Sequence, residues 1–295
     1  MTDTREFHVA SERELLPFLL ALPIGLSRKQ AKDLLKFQAV TVRGRTHVRH
    51  DTLLGPGDIV EIAARRQVVD DRSLERAGLR IVYIDDAIVV VDKPVGLLSM
   101  GSEREKEKTA HRMLNEHLKA LAKSARQQVF IVHRLDRETS GLMVFARRES
   151  VQTALQRNWK DVTKRYFAIV EGTLSNASGT LRDNLIESKS FKVHRVAKGG
   201  ELAITHYRVM RAVGGRSLLE LTLETGRKHQ IRVQLAAIGH PILGDNKYGA
   251  RTDTARRLAL HSCELKFRHP VSGAAMEFHS ELPDPLKMLI RRRRQ

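Results

Sequence analysis

Apolar residues along the chain change their spacing several times, and each change marks an element. From Ser27 the spacing is helical. Ala31, Leu34 and Leu35 share one face, and Arg28, Lys29, Lys32 and Lys36 fall elsewhere. Ser27 with Gln30 three residues on fits a capping box. A less regular helix precedes it: Ser11 and Glu14 suggest a second capping box, and Pro17 either interrupts that helix or marks its true start. Val40 and Val42 alternate, Arg43-Gly44 turns the chain, and Gly55-Pro56-Gly57-Asp58 turns it again before a strand over 59–62. Residues 1–65 therefore read as a small unit of helices and strands, and the polar residues 66–78 as a linker.

Residues 79–295 read as a larger domain. It opens with a hairpin: a strand over 79–84, the turn Asp85-Asp86, and a strand over 88–91 stopped by Lys93-Pro94. Helical spacing returns over 109–123 (Met113, Leu114, Leu118, Leu121) and 149–160 (Val151, Leu155, Trp159). Residues 164–172 form a strand ending at Gly172, and 180–210 a basic hairpin or loop around Gly199-Gly200. An alternating strand over 217–223 leads into a turn and helix over 224–235, and further strands close the chain after Leu260.

Between 129 and 146 two short apolar runs flank the polar segment His133-Arg134-Leu135-Asp136-Arg137-Glu138-Thr139-Ser140-Gly141. That pattern is strand, loop, strand, and a loop held at the edge of a core is where functional residues tend to lie. Arg134 and Arg137 beside Asp136 favour its ionised form, which suits a nucleophile or charge stabiliser better than a proton donor. An ordinary charged turn, with Asp136, Thr139 or Ser140 bonding to nearby backbone, fits the local pattern too.

The segment from His133 to Leu142 resembles the catalytic loop of the RluA-type pseudouridine synthases. The resemblance implies that Asp136 is catalytic and that Arg134 enters the RNA stack where the target base has flipped out. Asp92-Lys93-Pro94-Val95-Gly96-Leu97-Leu98 resembles the opening motif of that domain, although Ser99-Met100-Gly101 replaces the Val-x-His-Pro-like continuation of many relatives. Taken alone, Tyr166 in Lys164-Arg165-Tyr166 packs in a core or stacks on a base; the resemblance places it against the target base. Taken alone, Arg232 in His229-Gln230-Ile231-Arg232 is a surface cation of small energetic value; the resemblance pairs it with the catalytic carboxylate and leaves Arg227 and Lys228 as RNA contacts. The first unit is similar to the S4 RNA-binding domain over 27–31, 40–44 and 57–60, which implies Arg28, Lys29, Lys32 and Arg43 as phosphate contacts. Pattern and resemblance together give an α+β protein: a small S4-like domain, then a synthase domain with a central, mainly antiparallel mixed sheet.

Charge sharpens this picture. The 295 residues carry a formal net charge of +18, which points to a polyanionic partner, most simply nucleic acid. A basic amphipathic helix suited to an anionic membrane does not stand out. Cys263 is the single cysteine, which excludes an intrachain disulfide and a cysteine-rich zinc site. His261, His269 and His279 lack metal-ligand spacing, and no glycine-rich phosphate loop is present, so neither a metal nor a nucleotide cofactor is expected. No apolar run approaches the ~20 residues of a membrane span, and the N-terminus lacks a signal-peptide pattern, so a cytoplasmic monomer is expected. The expected reaction is isomerisation of uridine to pseudouridine in structured RNA, with large-subunit ribosomal RNA the first choice of target and transfer RNA the second. A ribosome-assembly factor would not need the set Asp136, Tyr166 and Arg232, and an RNA hydrolase would need metal ligands or a second acid–base pair.

Overall fold

The computed structural model describes the chain apart from residues 1–3, 37–39, 45–48, 64–73, 75–76, 102–104, 106, 123–127, 253–254 and 292–295. Most of the expected linker, and the side chain of Lys29, lie outside the described residues. The chain divides into two units, residues 1–70 with 83–85 and residues 71–82 with 86–295. Among the described residues no helix is long and apolar enough to cross a membrane.

In the first unit β1 (Thr4–His8) is followed by β2 (Arg13–Glu14), α1 (Leu15–Ala21), α2 (Arg28–Lys36), β3 (Val40–Val42), β4 (Leu53–Leu54) and β5 (Ile59–Ala63). Three of the strands form an antiparallel sheet in the order β1-β5-β3, and β2 pairs with β4. Leu15, Leu19, Ala31, Val40, Leu54 and Val60 are fully buried in its core. The second helix starts at Arg28, as the Ser27 cap predicts. The first starts at Leu15 with Glu14 at the cap position, and Ser11 accepts from Arg13 instead of capping (2.8 Å). Pro17 sits inside the first turn, where its missing N–H costs nothing because those donors have no intrahelical acceptor. The amides of Leu15 and Leu16 go instead to the carbonyls of Thr52 (2.9 Å) and His50 (3.0 Å).

The second unit is built on one sheet. Its elements are β6 (Arg80–Ile84, whose last two residues are grouped with the first unit), β7 (Ile88–Lys93), α3 (Ala110–Ala122), β8 (Phe130–Ile131), β9 (Ser140–Ala146), α4 (Glu149–Arg157), β10 (Thr163–Glu171), β11 (Ser178–Glu187), β12 (Val193–Val196), β13 (Glu201–Val213), β14 (Arg216–Leu223), α5 (Gln230–Ala237), β15 (Leu260–Arg268), β16 (Ala275–His279) and α6 (Asp284–Leu289). The strand order is β12-β11-β13-β14-β10-β15-β9-β7-β6, with β16 beside β15 and β8 beside β9. Most pairs are antiparallel; β9 and β15 run parallel, Ser140 facing His261 and Gly141 facing Ser262. The mainly antiparallel mixed sheet of the sequence reading is thus present.

Every residue of β9 is buried, which explains a continuous apolar run where one-sided strands alternate. β14 alternates cleanly because only one face is covered. The basic stretch over 180–210 turns out to be three antiparallel strands, with β11 lying between β12 and β13. Its strands were hidden in the sequence because β11 is largely solvated and carries few apolar residues. Gly141 is required where β9 meets β15: its φ is +113°, and a Cβ there would lie 2.2 Å from the Ser262 carbonyl oxygen.

Candidate active site

The loop from His133 to Thr139 is pinned on both sides. Ser99 donates its hydroxyl to the Leu135 carbonyl (2.6 Å) and accepts from the Leu135 amide (3.1 Å). The Gly96 amide donates to the Arg137 carbonyl (2.8 Å), and Arg137 Nε donates back to the Gly96 carbonyl (3.0 Å). Ser99, the residue that departs from the family's motif, is thus a clamp on the peptide next to Asp136. On the other side His133 Nε2 accepts from the Val144 amide (3.1 Å), and the ring stacks on Trp159 with centroids 4.4 Å apart. Burial, aided by the Lys164 charge, pushes His133 down to about 3, so the ring is neutral and can accept at Nε2.

Lys93 lies fully buried under the same loop. Its ammonium donates to the carbonyls of Pro94 (2.9 Å) and Leu97 (2.8 Å), with that of Arg137 at 3.5 Å. Burial pulls its pKa down to about 7, against an upward push led by Asp136.

Asp136 projects from this scaffold with its side chain 28% exposed. Arg232 Nη1 is 3.4 Å from Asp136 Oδ2 and 3.6 Å from Glu138 Oε2. Arg232 is itself held by a fork: Nε and Nη2 donate to the two oxygens of Asp245, each at 2.8 Å. Only 5% of the Arg232 side chain is exposed and none of Asp245. Burial opposes the guanidinium charge, but the Asp245 fork and the carboxylates of Asp136 and Glu138 outweigh it and raise its pKa above the ordinary value. The Arg232 guanidinium also lies 5.2 Å from the Tyr248 ring centroid. His229, at the cap of α5 with φ +52°, hydrogen-bonds through Nδ1 to the Tyr248 hydroxyl (2.7 Å) and faces Asp136 Oδ2 with Nε2 at 3.8 Å.

Tyr166 lies on β10 and is buried. Burial raises its phenol pKa, a hydrogen bond with Ser262 works against that, and the Asp136 charge adds to it. The phenol therefore stays protonated, and Asp136, Tyr166 and Arg232 share one electrostatic neighbourhood. A Tyr166→Phe variant keeps the ring and loses the hydroxyl. It is expected to bind RNA within about twofold of wild type, because affinity rests on phosphates, while formation or release of product slows markedly under single-turnover conditions. Wild-type rates through product release would remove the hydroxyl from the chemistry.

The remaining predicted contacts differ in how free they are. Arg134 is exposed beside Asp136. Arg28 and Lys32 are exposed on α2. Arg43 is engaged by both oxygens of Asp58 (2.7 and 2.6 Å), and Asp58 also accepts from the Gly55 amide (2.7 Å), so this arginine ties two turns together. Arg227 pairs with Glu201 (2.5 Å) and Lys228 with Glu187. Lys164 is buried against the Trp159 carbonyl (3.1 Å). Asp245, His229, Tyr248, Lys93 and Ser99 escaped the sequence reading as site residues. For Asp245 the available signal was a lone carboxylate directly after the short glycine-bracketed run from Gly239 to Gly244.

The site therefore offers a partly exposed carboxylate, Asp136, with Glu138 beside it, both facing a buried cation whose other edge is held by Asp245. A family model described as RNA pseudouridylate synthase matches residues 87–237. The chain is 37% identical over 278 residues to the ribosomal large subunit pseudouridine synthase D of Vibrio cholerae, covering 88% of this chain and 85% of that protein. It is 32% identical over 281 residues to the protein of the same name in Haemophilus influenzae, covering 90% and 86%. Among solved structures, the human RNA pseudouridylate synthase domain containing 4 superposes with a TM-score of 0.61 at 25% identity, over 73% of this chain and 92% of that one.

Proposed function

This chain belongs to the RNA pseudouridine synthases, and from that premise we propose that Asp136 is the carboxylate that drives conversion of uridine to pseudouridine, with large-subunit ribosomal RNA as the substrate. The reaction breaks the bond from C1′ to N1, turns the uracil within the site, and joins C5 to C1′. C5 loses its proton and N1 gains one, so the change is an isomerisation. A covalent route through Asp136 attack on base or sugar and a glycal route through C2′ both need an ionised carboxylate at a fixed place. The observation that carries the reading is the Asp136–Arg232–Asp245 arrangement: Arg232 is locked by Asp245 at 2.8 Å and presents its remaining edge to Asp136. Tyr166, a buried phenol that feels the Asp136 charge, is assigned to the base face. The ribosomal target is supported by the names of the Vibrio cholerae and Haemophilus influenzae relatives.

The test is incubation with a large-subunit ribosomal RNA transcript carrying C5-tritiated uridine. Release of tritium in the presence of a chelator is the expected result. Strand scission instead would indicate a hydrolase, and binding without either would indicate an assembly factor. Mapping pseudouridines in cells with and without the protein then identifies the target uridine.

The first unit is proposed as an S4-like phosphate anchor. Changing Arg28, Lys29 and Lys32 together to Gln is expected to weaken RNA binding and to lower the slope of log affinity against log salt by about one unit per lost contact. Arg43 is left out of this variant because its charge is already met by Asp58. Turnover at saturating RNA should persist. An unchanged salt slope would mean that these cations only solvate the surface.

A further inference from the structure

The turn from β11 to β12 carries Phe191, at 70% exposure the most exposed large apolar side chain among the described residues. The turn is closed tightly. The Phe191 amide donates to the Ser188 carbonyl (2.9 Å), the Ser188 amide to the Lys192 carbonyl (2.8 Å), and the Ser188 hydroxyl to that same carbonyl (3.0 Å). Lys247 Nζ donates to the Phe191 carbonyl (2.9 Å). Phe191 is held at φ +57°, a backbone region that residues with a Cβ seldom occupy. An apolar ring is thus fixed in water by four hydrogen bonds and an unfavourable backbone, where a polar residue or glycine would meet the local demands better.

The surroundings of the ring are cationic. Lys228 Nζ lies 5.4 Å from its centroid and is paired with Glu187 at the end of β11, and Lys189, Lys192 and Lys247 are exposed on the same turn or beside it. The turn is also coupled to the site. Lys192 Nζ lies 5.9 Å from the Tyr248 ring centroid, and the Tyr248 hydroxyl accepts from the Val193 amide (3.2 Å) and bonds to His229, which faces Asp136. An exposed aromatic face amid lysines matches single-stranded RNA, whose bases stack on such rings while its phosphates meet the cations.

We propose that Phe191 is a stacking platform for an unpaired base of the substrate RNA at the rim of the active site. The proposal rests on the reading of Asp136 as the centre of an RNA-modifying site. Stacking needs a π-face; simple apolar burial does not, and this difference sets the test. The probe is a single-stranded RNA oligonucleotide carrying 2-aminopurine, titrated against the full chain and the variants Phe191→Leu, Phe191→Ala and Phe191→Trp. Wild type and Phe191→Trp are expected to quench the probe and bind it about tenfold more tightly than Phe191→Leu and Phe191→Ala. The salt slope should be equal in all four, since no phosphate contact changes. Equal binding and quenching by wild type and Phe191→Leu overturns the proposal and leaves the exposed ring to a protein partner. Tritium release from the ribosomal transcript is followed in parallel. Its absence from wild type would sink the uridine chemistry while leaving the stacking result standing, so the two failures are separable.

Discussion

Asp136→Asn is expected to abolish tritium release, a loss of at least about a thousandfold, while RNA affinity stays within about twofold of wild type. Asn is nearly isosteric and can still accept from Arg232, but it lacks the charge and nucleophilicity that either route demands. The fold should survive, because Arg232 keeps both hydrogen bonds to Asp245 and is not left as a bare buried charge. Single-turnover assays at saturating RNA, paired with filter binding, check both halves. Substantial turnover by a folded Asp136→Asn protein would remove this carboxylate from the chemistry.

Asp245→Ala should cause the largest loss of stability. It strips a fully buried guanidinium of its two best hydrogen bonds, and breaking a buried pair from one side costs about 3–5 kcal/mol. For a unit of this size that is roughly a 10 °C fall in melting temperature. The freed Arg232 is then drawn to Asp136 and Glu138, which displaces the carboxylate, so activity falls as well. The double variant Asp245→Ala with Arg232→Met removes the orphaned charge. It should recover part of the melting temperature and none of the activity. A single variant that melts like wild type would mean that Asp245 does not hold the arginine.

Sequence patterns revealed most of the catalytic unit because its central strands are either buried on both faces, as in β9, or cleanly one-sided, as in β14. Both cases leave a mark in the order of apolar residues. The position of Asp136 was legible from the polar segment between two such strands. The partners of that carboxylate were less so. Arg134 and Arg137 flank it in sequence, yet Arg137 turns to the Gly96 carbonyl, and the cation that reaches Asp136 comes from ninety-six positions away. Asp245 is as hard to find, since a single buried carboxylate carries no periodicity, and its role exists only because α5 brings Arg232 against it. Ser99 and Lys93 act through backbone carbonyls, which any sequence supplies, so their partners leave no trace in residue identity. Arg43 shows a further partner that sequence spacing does not reveal: a carboxylate fifteen residues later in the chain pairs with it, while its side chain stays 60% exposed.

The parallel contact between β9 and β15 bears on how this protein emerges from the ribosome. The Ser140 hydroxyl bonds to His261, 121 positions ahead of it, and Arg257 reaches the same hydroxyl (2.6 Å). Until β15 has been synthesised, β9 can pair with β7 on one edge and with β8 at the Phe145–Ala146 end of the other, but the Ser140–Gly141 end of that second edge stays open in one of the most apolar strands in the chain. An open apolar edge is a template for pairing with other chains, and long-range closure of this kind is slow. The carboxylate lacks its partners for most of that interval, since Arg232 and Asp245 are made about a hundred positions after Asp136 and shortly before β15. Assembly of the Asp136–Arg232–Asp245 arrangement therefore waits for residue 245, and closure of the β9 edge waits for β15, more than a hundred positions after Asp136 has been made.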